Sequence, residues 1–114
     1  MTWRLSANPD TVDQVSQLSL EYVTVGVSVM RDGVPYDPSQ DVVQFAFTQP
    51  GVLPQTWVTG SWAVTGDPVY PHAAQCLIGP GGAVTLPPGT YTRWVKITDN
   101  PEVPVLQAGQ VVVV

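Results

Sequence analysis

One histidine, His72, and one cysteine, Cys76, set the limits on the chemistry this chain can offer. His72 lies between Pro71 and Ala73 with no serine or cysteine motif to place a nucleophile beside it. A triad can assemble from distant segments, so spacing alone neither supports nor excludes one. Metal binding would fall to carboxylates, of which Asp32, Asp37 and Asp41 are the densest group. They surround a turn-rich segment where aspartate serves turn geometry, and the spacing of an EF-hand is missing. A glycosidase would need two carboxylates on facing walls of a cleft, and Glu21 and Glu102 are the only glutamates. Gly79-Pro80-Gly81-Gly82 shares only its glycine content with a phosphate-cradling loop, because the Lys-Ser/Thr ending and the following helix are absent. The expectation is a protein with no catalytic residues, no cofactor and no metal.

Contact chemistry is better represented. Trp3, Trp57, Trp94 and Tyr70 could stack on pyranose rings, and they could equally anchor a protein interface. Trp57 shares its parity with Thr59, Ser61 and Thr65, where a large aromatic gains little unless something covers it, whereas Trp62 aligns with Val58 and Val64 and reads as core. Arg93 is the odd residue. Strict alternation turns it inward with Tyr91, Val95 and Ile97, which demands an aspartate or a loop carbonyl as partner. The competing register buries Trp94 and exposes Arg93; the preferred reading leaves Trp94 outside, at a subunit contact.

The elements that would position these groups are strands. Among 114 residues are 21 valines, 11 threonines and nine leucines plus isoleucines, a β-branched bias that suits a pleated surface. The 10 glycines and 12 prolines cluster between apolar runs, as turns between short strands do. Length allows one core. The line that organises the rest is Leu86 to Ile97, where Pro87-Pro88-Gly89 forces a turn and Tyr91 opens a strand. A tight turn followed by Gly-x-Tyr is how a β-sandwich enters its penultimate strand, the tyrosine hydroxyl tying the corner to nearby backbone.

In chain order, residues 1–17 read as an N-terminal arm carrying Trp3 and Leu5, with Asn8-Pro9-Asp10 able to cap one helical turn. Leu18 to Arg31 is the longest strand signal, with an apparent change of inward parity near Tyr22 and Val23 that a bulge or a sheet crossing would reconcile. Asp32-Gly33 predicts a hairpin whose second strand is Asp41 to Thr48, with Val43, Phe45 and Phe47 inward. Trp57 to Thr65, Ala73 to Ile78 and Ala83 to Leu86 supply further strands. Asp99 to Pro104 is a loop, Val105 and Leu106 precede Gln107-Ala108-Gly109, and the chain ends in Val111, Val112, Val113 and Val114. A terminal strand apolar on both faces must be covered on both. Seven or eight antiparallel strands over 18–114 predict an all-β, two-sheet, immunoglobulin-like sandwich.

Charge narrows the class of partner. Only 11% of the residues are charged, against roughly 25% in an ordinary soluble domain. Such a surface is either covered by partner subunits or kept soluble by Thr, Ser and Gln; the first is preferred. With a net charge of −5 and Arg4, Arg31, Arg93 and Lys96 scattered, there is no stripe to neutralise phosphates, so nucleic acid is not an expected partner. The first 20 residues hold Asp10 and Asp13 where a signal peptide would be apolar, and no apolar run is long enough to span a bilayer. A soluble product made in the cytoplasm, without membrane partners, is expected, with Cys76 an inert core thiol.

The sequence Arg31-Asp32-Gly33-Val34-Pro35-Tyr36-Asp37, then Val43-Gln44-Phe45, Leu86-Pro87-Pro88-Gly89-Thr90-Tyr91, and Trp94 through Val105 resembles small immunoglobulin-like virion proteins of tailed bacteriophages, particularly those infecting actinobacteria. The resemblance covers most of the chain from about Leu18 onward and is carried by strand and turn motifs. It implies a non-enzymatic structural protein of the virion, synthesised in the host cytoplasm and present in many copies. Such a protein would pack against capsid, connector or tail subunits, at the head-to-tail region or as a capsid accessory. The contact residues expected on that reading are Trp3, Leu5, Trp57, Trp94 and Val111 to Val114. The alternative is a receptor- or carbohydrate-binding module, a monomer with its aromatics gathered at one loop end.

Overall fold

The computed structural model describes residues 3–7, 12–64, 69–99 and 102–114, with backbone alone for 3–5 and 64. Ten strands follow one another in these residues: β1 Trp3–Ala7, β2 Val12–Val15, β3 Glu21–Arg31, β4 Val34–Pro35, β5 Val42–Thr48, β6 Val58–Thr59, β7 Ser61–Val64, β8 His72–Ile78, β9 Gly89–Thr98 and β10 Val105–Val113. One sheet runs β1-β3-β8-β7, with β4 on the end of β3, and the other runs β2-β10-β9-β5-β6. This is the strand order of an immunoglobulin-like sandwich, in which the first stretch of chain contributes an edge strand to each sheet.

The inner faces follow from valine alternation. Val23, Val25, Val27 and Val29 of β3, with Ala74, Cys76 and Ile78 of β8, close over Val43 and Phe45 of β5, Val95 and Ile97 of β9, and Val111 and Val113 of β10. Each is buried, and Cys76 is the core thiol its neighbours predict. The corner before β9 forms as anticipated: the Tyr91 hydroxyl donates to the Pro87 carbonyl at 2.6 Å.

Several boundaries differ from the sequence reading, each for a local reason. In the stretch expected to be an arm, the described residues join the sheets: β1 pairs antiparallel with β3 and β2 pairs parallel with β10. That parallel pair also departs from the all-antiparallel expectation, and the proposed cap at Asn8-Pro9-Asp10 lies outside the described residues. Leu18 and Leu20 precede β3 and are exposed, so β3 needs no change of inward face; its register with β8 is unbroken from Glu21 to Val27. Asp32 and Gly33, at φ 53 and 79, make the turn the sequence predicts, but its partner is the two-residue β4, and β5 crosses to the other sheet.

In the run expected as one strand from Trp57 to Thr65, the described residues form two strands in different sheets, divided at Gly60. A Cβ at Gly60 would lie 2.6 Å from the Gln75 carbonyl and 2.7 Å from the Phe45 ring, so the crossing passes where only glycine fits. Ala83 to Leu86 contributes one bridge, Val84 to Ile78, in place of a strand. Gln107-Ala108-Gly109 does not end a strand: β10 continues through it with a register shift against β9 between Gln107 and Gln110.

Candidate contact face

Two tryptophans expected at contacts are brought to one surface. Trp94 sits on β9 opposite Ala46 of β5, and Val58 sits opposite Phe45, so one further step of that register sets Trp57 on the other side of Ala46. Ala46 points away from the core yet is only 2% exposed, as expected of a small side chain between two indoles. Both tryptophans are half-buried. Trp94 Nε1 donates to Thr48 Oγ1 at 3.0 Å, and the Lys96 ammonium lies 4.3 Å from the centre of the Trp57 ring. Each ring therefore has a partner on this face, a hydrogen bond for Trp94 and cation–π attraction for Trp57.

Around them, the outward positions of β2, β10, β9, β5 and β6 are threonine, glutamine, valine and alanine, with Lys96 the one charged residue among the described residues. Val12, Val42 and Val105 are exposed there at 59%, 54% and 47%. The terminal valines divide between the faces. Val111 and Val113 belong to the core at 0% and 4% exposure, which corrects their expected role as contacts, because β10 is an inner strand whose alternate residues must face the opposite sheet. Val112 is half-buried on the outward face, and Val114 is exposed beyond the strand. The backbones of Trp3 and Leu5 lie in β1, while their side chains fall outside the described part of the structure.

Arg93 takes the inward position that strict alternation assigns, fully buried. Its Nε donates to the Ala108 carbonyl at 2.7 Å and its Nη1 to Asp13 Oδ2 at 2.5 Å, while Nη2 has no hydrogen-bond partner among the described residues. Asp13 is not legible in the sequence as the partner because it lies 80 residues from Arg93, in a stretch whose pattern reads as an arm. The alternation of β2 around Val15, facing the core, is the signal that could have found it. The ion pair bolts β2, an edge strand, to the central strand β9.

Of the residues considered for catalysis, His72 and Asp37 are brought together. His72 Nδ1 stands 3.7 Å from Asp37 Oδ1, and its ring meets Trp62 edge-on at 6.4 Å. Asp37 accepts the Ser39 backbone N–H at 2.9 Å, and that hydrogen bond holds its carboxyl below the usual carboxylate range. Tyr36 donates to Asp41 at 2.9 Å; desolvation first, and this bond second, hold its phenol above the ordinary value. The Trp62 ring packs against the core, as its parity predicts, and Nε1 donates to the Asp41 carbonyl at 3.0 Å. Asp32, Asp37 and Asp41 thus serve turns and hydrogen bonds, and among the described residues no group of three or more His, Cys, Asp or Glu could hold a metal ion. Burial pushes the Cys76 thiol from 9.0 up to about 11, so it carries no thiolate at neutral pH.

No protein-family model matches the chain, and no curated protein matches it. Among solved structures it is similar to AggA, the major subunit of aggregative adherence fimbriae type I from Escherichia coli. The two are 13% identical with a TM-score of 0.39, over 99% of this chain and 95% of that one. A likeness this distant carries no argument about what the chain does, and the immunoglobulin-like assignment stands on the strand order itself.

Proposed function

We propose that this chain is a non-enzymatic structural component of a tailed-phage virion, acting by protein–protein contact at the head-to-tail region or as a capsid accessory. The observation that carries the contact reading is the outward face of the β2-β10-β9-β5-β6 sheet, where, among the described residues, two indoles sit amid neutral side chains and a single charge. Depletion of charge around aromatic anchors is the composition of an interface core. The virion setting comes from the resemblance of the strand and turn motifs and from the low charge of the whole chain. Partners would be capsid, connector or tail subunits, and repetition in a symmetric particle would make weak contacts add up.

A receptor- or carbohydrate-binding module would gather its aromatics at one loop end. Here Trp57 and Trp94 lie on a sheet face and Trp62 lies on the edge strand of the opposite sheet. The test is mass spectrometry of purified particles, by subassembly, after expressing the wild-type chain or a Trp57→Ala/Trp94→Ala double variant. The wild type is expected in one subassembly, and the folded double variant is expected to be lost from it. Incorporation of the double variant at the wild-type level removes this face as the contact surface. Absence of the wild-type chain from every particle fraction removes the virion reading.

A further inference from the structure

Beyond the face just described, the β7 side of the other sheet carries a pocket of about 430 Å³, lined by Asp37, Ser39, Trp62, Ala63, Pro71 and His72. Its size is that of a small-ligand site. We propose that it receives a guanidinium group, the side chain of an arginine on a partner protein. The proposal rests on the reading of this chain as a contact protein and adds the chemistry of one partner residue.

The pocket is pre-organised. Trp62 belongs to β7 and His72 to β8, strands paired from Ser61 to Val64, and the indole is tethered by its hydrogen bond to the Asp41 carbonyl. Asp37 is held as the carboxylate by the Ser39 N–H. Among the described residues no lysine or arginine lines the pocket, and His72, 3.7 Å from the carboxylate, is its one basic side chain. The basic side chains described elsewhere are engaged: Arg31 with Asp99 at 3.5 Å, Arg93 with Asp13, and Lys96 with the Trp57 ring on the opposite sheet.

Charge and shape then select the ligand. An anion would meet the Asp37 carboxylate with only the His72 imidazole beside it, at 3.7 Å. A neutral saccharide could use the indole but would leave the charge unused. An ammonium is a strongly hydrated point charge, best held by several aromatic walls, and Trp62 is the one indole here. A guanidinium is planar and weakly hydrated, stacks on an aromatic face and presents a fork of N–H donors to a carboxylate. Among the described residues β7 is the last strand of its sheet, the position at which a partner's backbone can pair.

The experiment is a two-dimensional ¹⁵N NMR titration of the intact chain with N-acetyl-arginine amide, with the neutral citrulline isostere, the lysine counterpart and glucose as comparators. The arginine probe is expected to shift the Trp62 indole N–H and the amides of Ser39 and His72, with a dissociation constant on the order of millimolar. The citrulline isostere and the Asp37→Asn variant are each expected to weaken binding at least about tenfold. Asp37 sits on an exposed loop, so the rest of the variant's spectrum should match the wild type. Equal or tighter binding of citrulline, lysine or glucose, indifference to Asp37→Asn, or shifts confined to other parts of the chain would each overturn the assignment. The titration needs no assembled particle and should be unchanged in the Trp57→Ala/Trp94→Ala variant, so a failure here is separable from a failure of the contact face.

Discussion

Removing the Asp13 carboxylate is expected to cost far more than an edge-strand aspartate ordinarily would. Arg93 is fully buried, with one N–H on the Ala108 carbonyl and one on Asp13 Oδ2. In Asp13→Ala the guanidinium loses its counterion and stays in the core, a situation that costs about 3 to 5 kcal/mol. Because Asp13 is itself partly exposed, with 35% of its side-chain surface accessible, water can reach the vacated position, and the lower end, about 3 kcal/mol, is expected. For a chain of this size that lowers Tm by about 12 °C. Arg93→Met removes the charge while keeping the volume, so Asp13→Ala made in that background is expected to cost about 1 kcal/mol or less. Urea unfolding of the four proteins closes the double-mutant cycle, with an expected coupling of about 2 kcal/mol. A cost below about 1 kcal/mol for Asp13→Ala alone, or the same cost in both backgrounds, would refute the claim that the pair bolts β2 to β9.

Other consequences can be measured on the isolated chain. Tyr91→Phe removes the hydrogen bond to Pro87 and is expected to lower urea-unfolding stability by about 0.5 to 1.5 kcal/mol. Gly60→Ala drives a methyl into Phe45 and the Gln75 carbonyl, and is expected to cost at least about 1 to 3 kcal/mol by the same assay. Cys76 should resist alkylation at pH 8 in the folded protein and react fully in denaturant. Its folded pKa is raised, so the folded state holds the proton more tightly than the unfolded one. Its contribution to stability is therefore complete below about pH 9 and is lost as pH rises toward about 11, and a Cys76→Ala variant should lack that alkaline loss. Trp57→Ala and Trp94→Ala should each leave the fold intact by circular dichroism, whereas Trp62→Ala, which also loses its bond to Asp41, should cost about 3 kcal/mol or more.

The legible parts of this molecule were those written in short-range patterns. The Val23 to Val29 alternation, the Asp32-Gly33 turn and the Tyr91 corner each depend on neighbours a few residues apart, and each formed as its pattern implies. Arg93 was legible as an inward residue in want of a partner, but the partner was not, because Asp13 reaches it from a strand 80 residues earlier. The inward placement of Val111 and Val113 is hidden for a related reason. Four identical side chains carry no parity signal, and only pairing with β9 and β2 says which of them face inward. The junction at Gly60 was hidden because alternation continues across it while the strand changes sheets.

Composition and alternation by themselves determined that this chain is all-β and that it has one core, since β-branched residues at period two leave few other ways to bury valine. Tertiary structure alone decided which strands share a sheet, which surface stays nearly free of charge, and that Trp94 and Trp57 flank the same alanine. Period two tells every strand which side is inside but says nothing about its neighbours, and neighbours are set by closure of the whole sandwich.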